Sequence, residues 1–355
     1  MHTANTVKEA CGLSTFSQAR VNVWEVYADK ALRGEVLTKD EAFHILGAPD
    51  EELLPLLQAA YRVRYHYYGN KVKLNMIINA KSGLCPEDCG YCSQSIVSKA
   101  PIEKYPLLDK ETLIEGAREA VRRKAGTYCI VASGRGATDK EIEQVAEAVK
   151  AIKQEMPLKI CCCLGIISEE QAQKLREAGV ERYNHNLNTS ASHYSHITTT
   201  HTYEDRVRTV QHVKQAGISP CSGCIIGMGE TWDDVYHLAL SLRELDADSI
   251  PVNFLHAIPG TPLENMDELN PRYCLKVLAL FRFINPSKEI RISGGREVNL
   301  RSLQALGLYP ANAIFVGDYL TTEGQTARAD HQMIEDLGFE IELMHYSLNM
   351  SSNST

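Results

Sequence analysis

The sequence predicts an α/β fold: a TIM-type (β/α)8 barrel with an N-terminal helical extension. Three observations lead there. Between Lys71 and Leu337, eight strand-like segments each run into a helix-like segment. The chain's 355 residues are enough for one large barrel or two ordinary domains. The strands also carry more thiols and amides than a plain core requires. A doubly wound open sheet is the runner-up, but it has no natural use for eight such regular units. The expected organisation is a tail and helical extension over 1–70, the barrel over 71–340, and a polar, disordered tail over 341–355.

Residues up to about Ser14 read as a loose tail, and Phe16 to Tyr68 as two or three helices. There Ala42, Ile45, Leu46, Leu53, Leu54, Leu57 and Ala60 recur at helical spacing, with a stop and restart at Gly47-Ala-Pro49-Asp50. Lys71 to Asn79 alternates and becomes β-branched, so it reads as the first strand. The helix from Asp109 to Ala125 places Leu113, Ile114, Ala117, Ala120 and Val121 on one face. Thr127 to Ser133 is the second strand. Thr138 with Glu141 makes a capping box ahead of an Ile142, Val145, Val149, Ile152 stripe. Leu158 to Leu164 is the third strand; Ser168 with Gln171 opens the next helix and Gly179 closes it.

Val180 to Asn188 reads as strand four and Tyr203 to Ala216 as its helix, with Val207, Val210 and Val213 inward. Ile218 to Ile226 is strand five, Thr231 to Leu245 a helix, and Ser249 to Leu255 strand six. Pro271 starts an apolar helix that ends near Ile284-Asn-Pro286. Glu289 to Ser293, Val298 to Leu306, Ala313 to Gly317 and Ala327 to Leu337 complete the alternation.

Composition narrows the function classes. Formal net charge is −8 with no long basic run, which argues against nucleic acid as a partner. No apolar stretch approaches the roughly 20 residues of a membrane span. Met1 to Lys8 has no apolar core of the kind a secretory signal needs. Eleven cysteines in such a chain point to a reducing compartment and metal chemistry, with the cytoplasm as the default location.

Three of those cysteines, Cys85, Cys89 and Cys92, fall at a C-x3-C-x2-C spacing in one loop after the first strand. Thiolates this close, in a loop with two glycines and a proline, wrap one side of a metal cluster without closing it. A [4Fe–4S] cluster that only carries electrons takes four protein ligands; three leave one iron open for a reacting molecule. A structural zinc loop would show a second ligand pair at the usual distance, and none follows. With Tyr91 just before the third cysteine, the loop resembles that of the radical S-adenosylmethionine (SAM) superfamily. In that superfamily the open iron chelates SAM, and an electron from the cluster cleaves it to a 5′-deoxyadenosyl radical.

The inward strand positions add to this. Asn184, Asn186 and Asn188 share a face, and an unpartnered buried amide costs on the order of 1–3 kcal/mol. A ligand or a dense network must satisfy them. His185, of opposite parity, reads as a satisfied structural histidine. Cys129, the run Cys161-Cys162-Cys163, and Cys221 with Cys224 lie on three strands, with Arg291 on a fourth, which suggests a second metal centre in the barrel. Parity places Cys161 and Cys163 together, so spacing does not choose between them. It separates Cys221 from Cys224, against a redox pair. Cys11 and Cys274 read as structural. Gly223 to Thr231 is glycine-rich at a strand end, which suits either ligand approach or turn chemistry.

Asn79 to Gln94, Tyr183 to Thr189, Cys221-Ser-Gly with Gly227-Met-Gly-Glu-Thr, and Arg291 to Glu297 together resemble the biotin synthase family, over about residues 40–340. The resemblance implies that Cys85, Cys89 and Cys92 hold a [4Fe–4S] cluster that binds SAM. It implies that Cys129, Cys161, Cys221 and the unusual ligand Arg291 hold a [2Fe–2S] cluster. Tyr91, Asn186, Asn188 and Arg206 match cofactor-binding positions, Asn184 and Asn253 match positions that contact dethiobiotin, and Thr321 and Thr322 match a site near its carboxylate tail. Radical sulfur insertion, a flavodoxin-like electron donor and a homodimer are further implications. Two departures stand out: Asn188 replaces the aspartate of many members, and the three-cysteine run leaves the ligand between Cys161, Cys162 and Cys163 open. The alternatives are a barrel radical SAM enzyme that inserts no sulfur, a non-catalytic iron–sulfur carrier, and a zinc scaffold.

Overall fold

The structure, a computed structural model, describes residues 22–343. The expected tail up to about Ser14, Cys11 and most of the expected 341–355 tail lie outside them; Ile341, at the start of that expected tail, is instead paired with Val72 in a short strand. Helices α1 (Val23–Leu32), α2 (Lys39–Leu46) and α3 (Leu53–Tyr68) form the N-terminal extension. The alternating body follows as β1 (Lys71–Lys81), α4 (Lys110–Arg122), β2 (Thr127–Ala132), α5 (Asp139–Glu155), β3 (Lys159–Cys163) and α6 (Glu169–Ala178). It continues through β4 (Arg182–Asn184), α7 (Tyr203–Gln215), β5 (Ser219–Cys221), β6 (Cys224–Ile226), α8 (Trp232–Glu244), β7 (Ser249–Phe254) and α9 (Pro271–Ile284). The last elements are β8 (Glu289–Ile292), α10 (Arg296–Leu300), α11 (Gln304–Gly307), β9 (Ala313–Phe315), α12 (Ala327–Asp336) and β10 (Glu340–Ile341).

All strand pairings are parallel, and β9 pairs back onto β1 through Lys73 and Ala313, so the sheet closes into a barrel of eight strand positions. The fifth position is shared by β5 and β6. The expected barrel is therefore the fold. Its strands keep strict alternation: Ile130, Ile160, Ile250, Val252, Ile290, Ile292 and Ile314 point outward into the layer beneath the helices and are fully buried there.

Local signals account for the helices. Capping boxes at Thr38/Glu41, Thr138/Glu141, Ser168/Gln171, Thr202/Asp205 and Thr231/Asp234 start five of them. Gly179 ends α6 in the left-handed region at φ 101°. Helix α9 is apolar nearly all round because α1, α2 and α3 cover its outer side. Buried Arg282 on α9 serves the Pro310, Pro286 and Lys288 carbonyls and Asn312 Oδ1 at 2.7–2.9 Å, tying together the loops at the lower end.

Four details depart from the sequence reading. Val121 is 43 % exposed, off the buried face of α4. The helix expected over Val298 to Leu306 breaks into α10, a 3-10 turn and α11, with Arg301 at φ 52°. Regular pairing of the fourth strand ends at Asn184, while Asn188 bridges to Cys224 with φ 70°. The fifth strand breaks at Ser222-Gly223 because the Gly223 N–H turns inward to Asn186 Oδ1, at 3.0 Å.

A Cβ added at Gly223 would stand 1.9 Å from the Pro251 carbonyl oxygen. Gly223→Ala is expected to destabilise the barrel by roughly 1–3 kcal/mol, the usual cost of overpacking. Urea unfolding should show this as a lower midpoint; an unchanged midpoint would refute the close-approach reading.

Candidate active site

At the C-terminal mouth of the barrel a cavity of about 340 Å³ runs from the cysteine loop down to the thiol-bearing strands. Cys85, Cys89, Tyr91 and Cys92 line its upper wall, and Asn184, Asn186, Asn188, Arg206 and Asn253 its middle. Cys129, Cys161 and Arg291 form its floor. Twelve of the residues singled out from the sequence thus face one space, at the C-terminal face where (β/α)8 barrels build their sites.

The cysteine loop leaves β1 and is pinned from across the mouth. Asp88 accepts from Thr198 Oγ1 at 2.7 Å, Thr199 N at 2.9 Å, Thr200 Oγ1 at 3.1 Å and the Thr199 hydroxyl. Gly90 N donates to the Ile197 carbonyl at 2.9 Å. Burial raises all three thiols, Cys92 up to about 12, so binding a metal there must release protons. Among the described residues no group of three or more His, Cys, Asp or Glu side chains is arranged to hold a single metal ion. A multinuclear cluster asks for a different arrangement, one thiolate on each of several irons, and the all-thiol donor set at a cavity wall fits it.

A relay missed in the sequence backs this loop. Glu87 Oε2 meets His201 Nδ1 at 2.5 Å, and Arg206 Nη2 donates to His201 Nε2 at 2.7 Å. A guanidinium only donates, so Nε2 accepts and Nδ1 carries the proton toward Glu87. His201 is therefore neutral. Burial chiefly, then the Arg206 charge, lowers its pKa against the pull of Glu87. Arg206 also donates to the Asn186 carbonyl at 3.1 Å and to the Tyr194 hydroxyl. Only a pattern spanning more than a hundred residues could have revealed the Glu87–His201 contact.

The asparagines are met by a network that faces the cavity. Asn184 Nδ2 donates to Asn186 Oδ1 at 2.9 Å and contacts Cys221 Sγ at 3.3 Å. Asn188 Nδ2 donates to Tyr91 Oη at 2.6 Å. Asn253 is held at both ends by backbone, Nδ2 to Cys224 O at 2.8 Å and Oδ1 from Gly294 N at 2.9 Å. His185 corrects the expectation of a satisfied structural histidine: its ring lines the cavity and its Nε2 is buried without a hydrogen-bond partner.

On the floor, Cys161 packs together with Cys129 and Cys221, which the Cys129–Cys161 strand pairing makes possible. Cys163 lies nearer the mouth, and Cys162 points into the helical layer, so the geometry groups Cys161 with the other two. Cys221 and Cys224 do face opposite sides, and Cys274 is a core residue. Arg291 Nη2 lies 3.3 Å from Cys221 Sγ and 2.5 Å from Ser249 Oγ, with the guanidinium 4.9 Å from the centre of the Phe315 ring. Its Nε is buried without a partner, the orphaned donor expected where a negatively charged group belongs. The residues fit an iron–sulfur centre.

Other residues fall outside the cavity wall. Thr321 meets Ser93 through their hydroxyls at 2.8 Å and Thr322 accepts from Tyr319 N through its carbonyl, while neighbouring Leu320 lines the cavity. The glycine-rich run is a turn: Gly227 and Met228 donate to the Glu230 carboxylate at 2.7 Å each, and Ile225 reaches the cavity in their place.

Comparison with known families and structures agrees with this geometry. Residues 81–242 match the Radical SAM superfamily and residues 251–340 the Biotin and Thiamin Synthesis associated domain. The chain is 70 % identical to the biotin synthase of Geobacillus kaustophilus, over 90 % of this chain and 96 % of that one. It is 65 % identical to the biotin synthase of Bacillus subtilis strain 168, over 91 % and 96 %. A solved methylornithine synthase superposes with a TM-score of 0.76 at 22 % identity, covering 90 % of this chain and 98 % of that one. An FeFe-hydrogenase maturase from Carboxydothermus hydrogenoformans superposes at 0.74 and 19 %, covering 90 % and 79 %; both share the fold.

Asp234, at the start of α8, pins the loop that leaves Asn188: it accepts from Ser190 Oγ at 2.6 Å, Ser192 Oγ at 2.7 Å and Thr231 Oγ1 at 2.6 Å. Burial alone would raise its carboxyl, but these hydrogen bonds outweigh it and hold the pKa well below the usual range. A depressed folded pKa contributes stability above the unfolded value of about 3.9, lost as pH falls further. Asp234→Asn should be less stable than the parent at pH 7, with the gap closing below about pH 4 in urea titrations. A gap independent of pH would show that the charge plays no part.

Proposed function

The chain belongs to the biotin synthase family of radical SAM enzymes, and from that premise we propose which of its side chains carry the reaction. The family's activity converts dethiobiotin to biotin with a [4Fe–4S] cluster, SAM and a [2Fe–2S] cluster, and it is the activity of this chain. We assign Cys85, Cys89 and Cys92 to the [4Fe–4S] cluster, and Cys129, Cys161, Cys221 and Arg291 to the [2Fe–2S] cluster. When bound, the reduced [4Fe–4S] cluster and SAM supply the hydrogen-abstracting 5′-deoxyadenosyl radical, and the [2Fe–2S] cluster supplies the sulfur.

The polypeptide's part is positioning and exclusion of water. Tyr91, Asn186, Asn188 and Arg206 form the proposed SAM contacts. Asn188 donates to Tyr91, which leaves its Oδ1 as an acceptor for a ribose hydroxyl, so the amide keeps the acceptor role of the usual aspartate. Asn184 and Asn253 are the proposed dethiobiotin contacts; amides match the donors and acceptor of its ureido ring. Thr321 and Thr322 would serve its carboxylate tail once the Ser93–Thr321 contact is exchanged for one to the ligand. A homodimer and a flavodoxin-like reductant belong to the same proposal. Among the described residues no helix is long and apolar enough to cross a membrane.

The observation that supports this most is the single cavity joining the cysteine loop to the Cys129, Cys161 and Arg291 floor. A radical SAM enzyme without sulfur insertion has no use for that floor. Mössbauer spectra of the anaerobically reconstituted protein should show two cluster types, the [2Fe–2S] signal falling as biotin forms. Cys129→Ala should lose the [2Fe–2S] signal while keeping [4Fe–4S] and SAM cleavage. A single [4Fe–4S] signal in the parent would sink the sulfur assignment.

A further inference from the structure

Below the thiols, the barrel is plugged by a buried charge cluster that the proposed ligand set does not include. Glu289 stands on β8 two residues before Arg291, so both point to the barrel axis, and it is 1 % exposed. Its Oε2 accepts from Arg182 Nη1 at 2.8 Å and lies 3.4 Å from Lys73 Nζ. Its Oε1 accepts from Ser249 Oγ at 2.9 Å and lies 3.5 Å from Arg291 Nη2. Ser249 in turn accepts from that same Nη2 at 2.5 Å. Ser249 thus links the carboxylate to the guanidinium by two hydrogen bonds in series, and Phe315 limits tilting from the ring side.

We propose that Glu289, braced by Arg182, is the positioning residue for Arg291, holding its Nη2 edge to Ser249 and so fixing which face of the guanidinium the [2Fe–2S] cluster would meet. The inference rests on the ligand assignment above. A guanidinium has five donors and no acceptor, so what Arg291 offers a cluster depends on which edge it presents. Rotation of a long side chain is otherwise cheap, and a buried carboxylate with a fixed far partner removes that freedom. The charges agree. Lys73, Arg182 and Arg291 all face Glu289, and Glu342 reaches only Lys73, at 3.9 Å, so three cations meet two carboxylates, and a thiolate-bound cluster above them supplies the missing negative charge.

The test uses the anaerobically reconstituted full-length protein, Glu289→Gln, and the double variant Glu289→Gln/Arg182→Gln. The double variant removes one buried charge of each sign and so avoids leaving Arg182 unpaired. The amount of [4Fe–4S] cluster records folding, and the [2Fe–2S] visible absorbance, its lifetime under reductant and its midpoint potential are the readouts. Both variants should keep [4Fe–4S] but hold [2Fe–2S] about tenfold less well, the usual scale for outer-shell ligand partners. Losing a negative charge should raise the potential in the single variant, and the double variant should cancel that shift while keeping the shortened lifetime. If the single variant fails to fold, the double variant decides. Parent-like [2Fe–2S] lifetimes in both variants overturn the proposal. A parent that takes up no [2Fe–2S] cluster defeats the ligand assignment instead.

Discussion

A closed parallel barrel lets only alternate residues of each strand face its axis, and everything in this molecule follows from how those positions are filled. Barrels of this class ordinarily pack layers of branched aliphatic side chains inside. Here the axis receives Cys129, Cys161, Asn184, Cys221, Ser249, Asn253, Glu289 and Arg291, while the intervening residues facing the helices are the isoleucines and valines. The interior thus gives up much of the apolar burial that a barrel core contributes. Stability comes from the outer layer between strands and helices, and from α1, α2 and α3 closing over α9. Hydrophobic burial on one side of the sheet frees the other side for chemistry.

Buried polar groups on the axis are tolerable only when paired. The lower end meets that condition with charge, through Glu289 between Arg182 and Arg291, and the Glu289 carboxyl is held far below its usual pKa because the arginines outweigh the burial that would raise it. The upper end meets it with amides and backbone, each asparagine giving or taking from a neighbour on the wall. Pairing is incomplete at His185 Nε2 and Arg291 Nε, both on residues that line the cavity, and at Asn75 Oδ1 below it.

Much of this was legible because periodicity and capping are local. The period-two strands, the Thr138/Glu141 and Ser168/Gln171 boxes and the apolar Pro271–Ile284 helix all stand where short-range patterns put them. The cysteine loop was legible for the same reason, its three cysteines lying within eight residues. Parity alone put Cys161 and Cys163 on one face; that Cys129 stands beside Cys161 comes from the register of β2 against β3. The break at Ser222-Gly223 was illegible because its cause is Asn186, thirty-seven residues away. His185 misled for a related reason: the fourth strand loses regular pairing at Asn184, so parity no longer assigns the next residue a side.

One consequence joins the two halves of the cavity. Cys221 contacts the Asn184 amide, which donates to Asn186; the Asn186 carbonyl accepts from Arg206, which donates to His201, and His201 meets Glu87 in the cysteine loop. At Arg206 and His201 the donors are fixed, because a guanidinium cannot accept and so forces the His201 tautomer. A path of hydrogen bonds therefore ties the floor thiol to the loop between Cys85 and Cys89, with Asn184 and Arg206 each donating in both directions and Asn186 accepting at its side-chain and main-chain oxygens. Bonds that share side chains in this way share their geometry, so a displacement at either end is resisted along the path. Two centres that must act on one small molecule need a constant separation, and a barrel wall alone leaves its loops free to drift. In this chain the same side chains that wall the cavity also tie the loop to the floor.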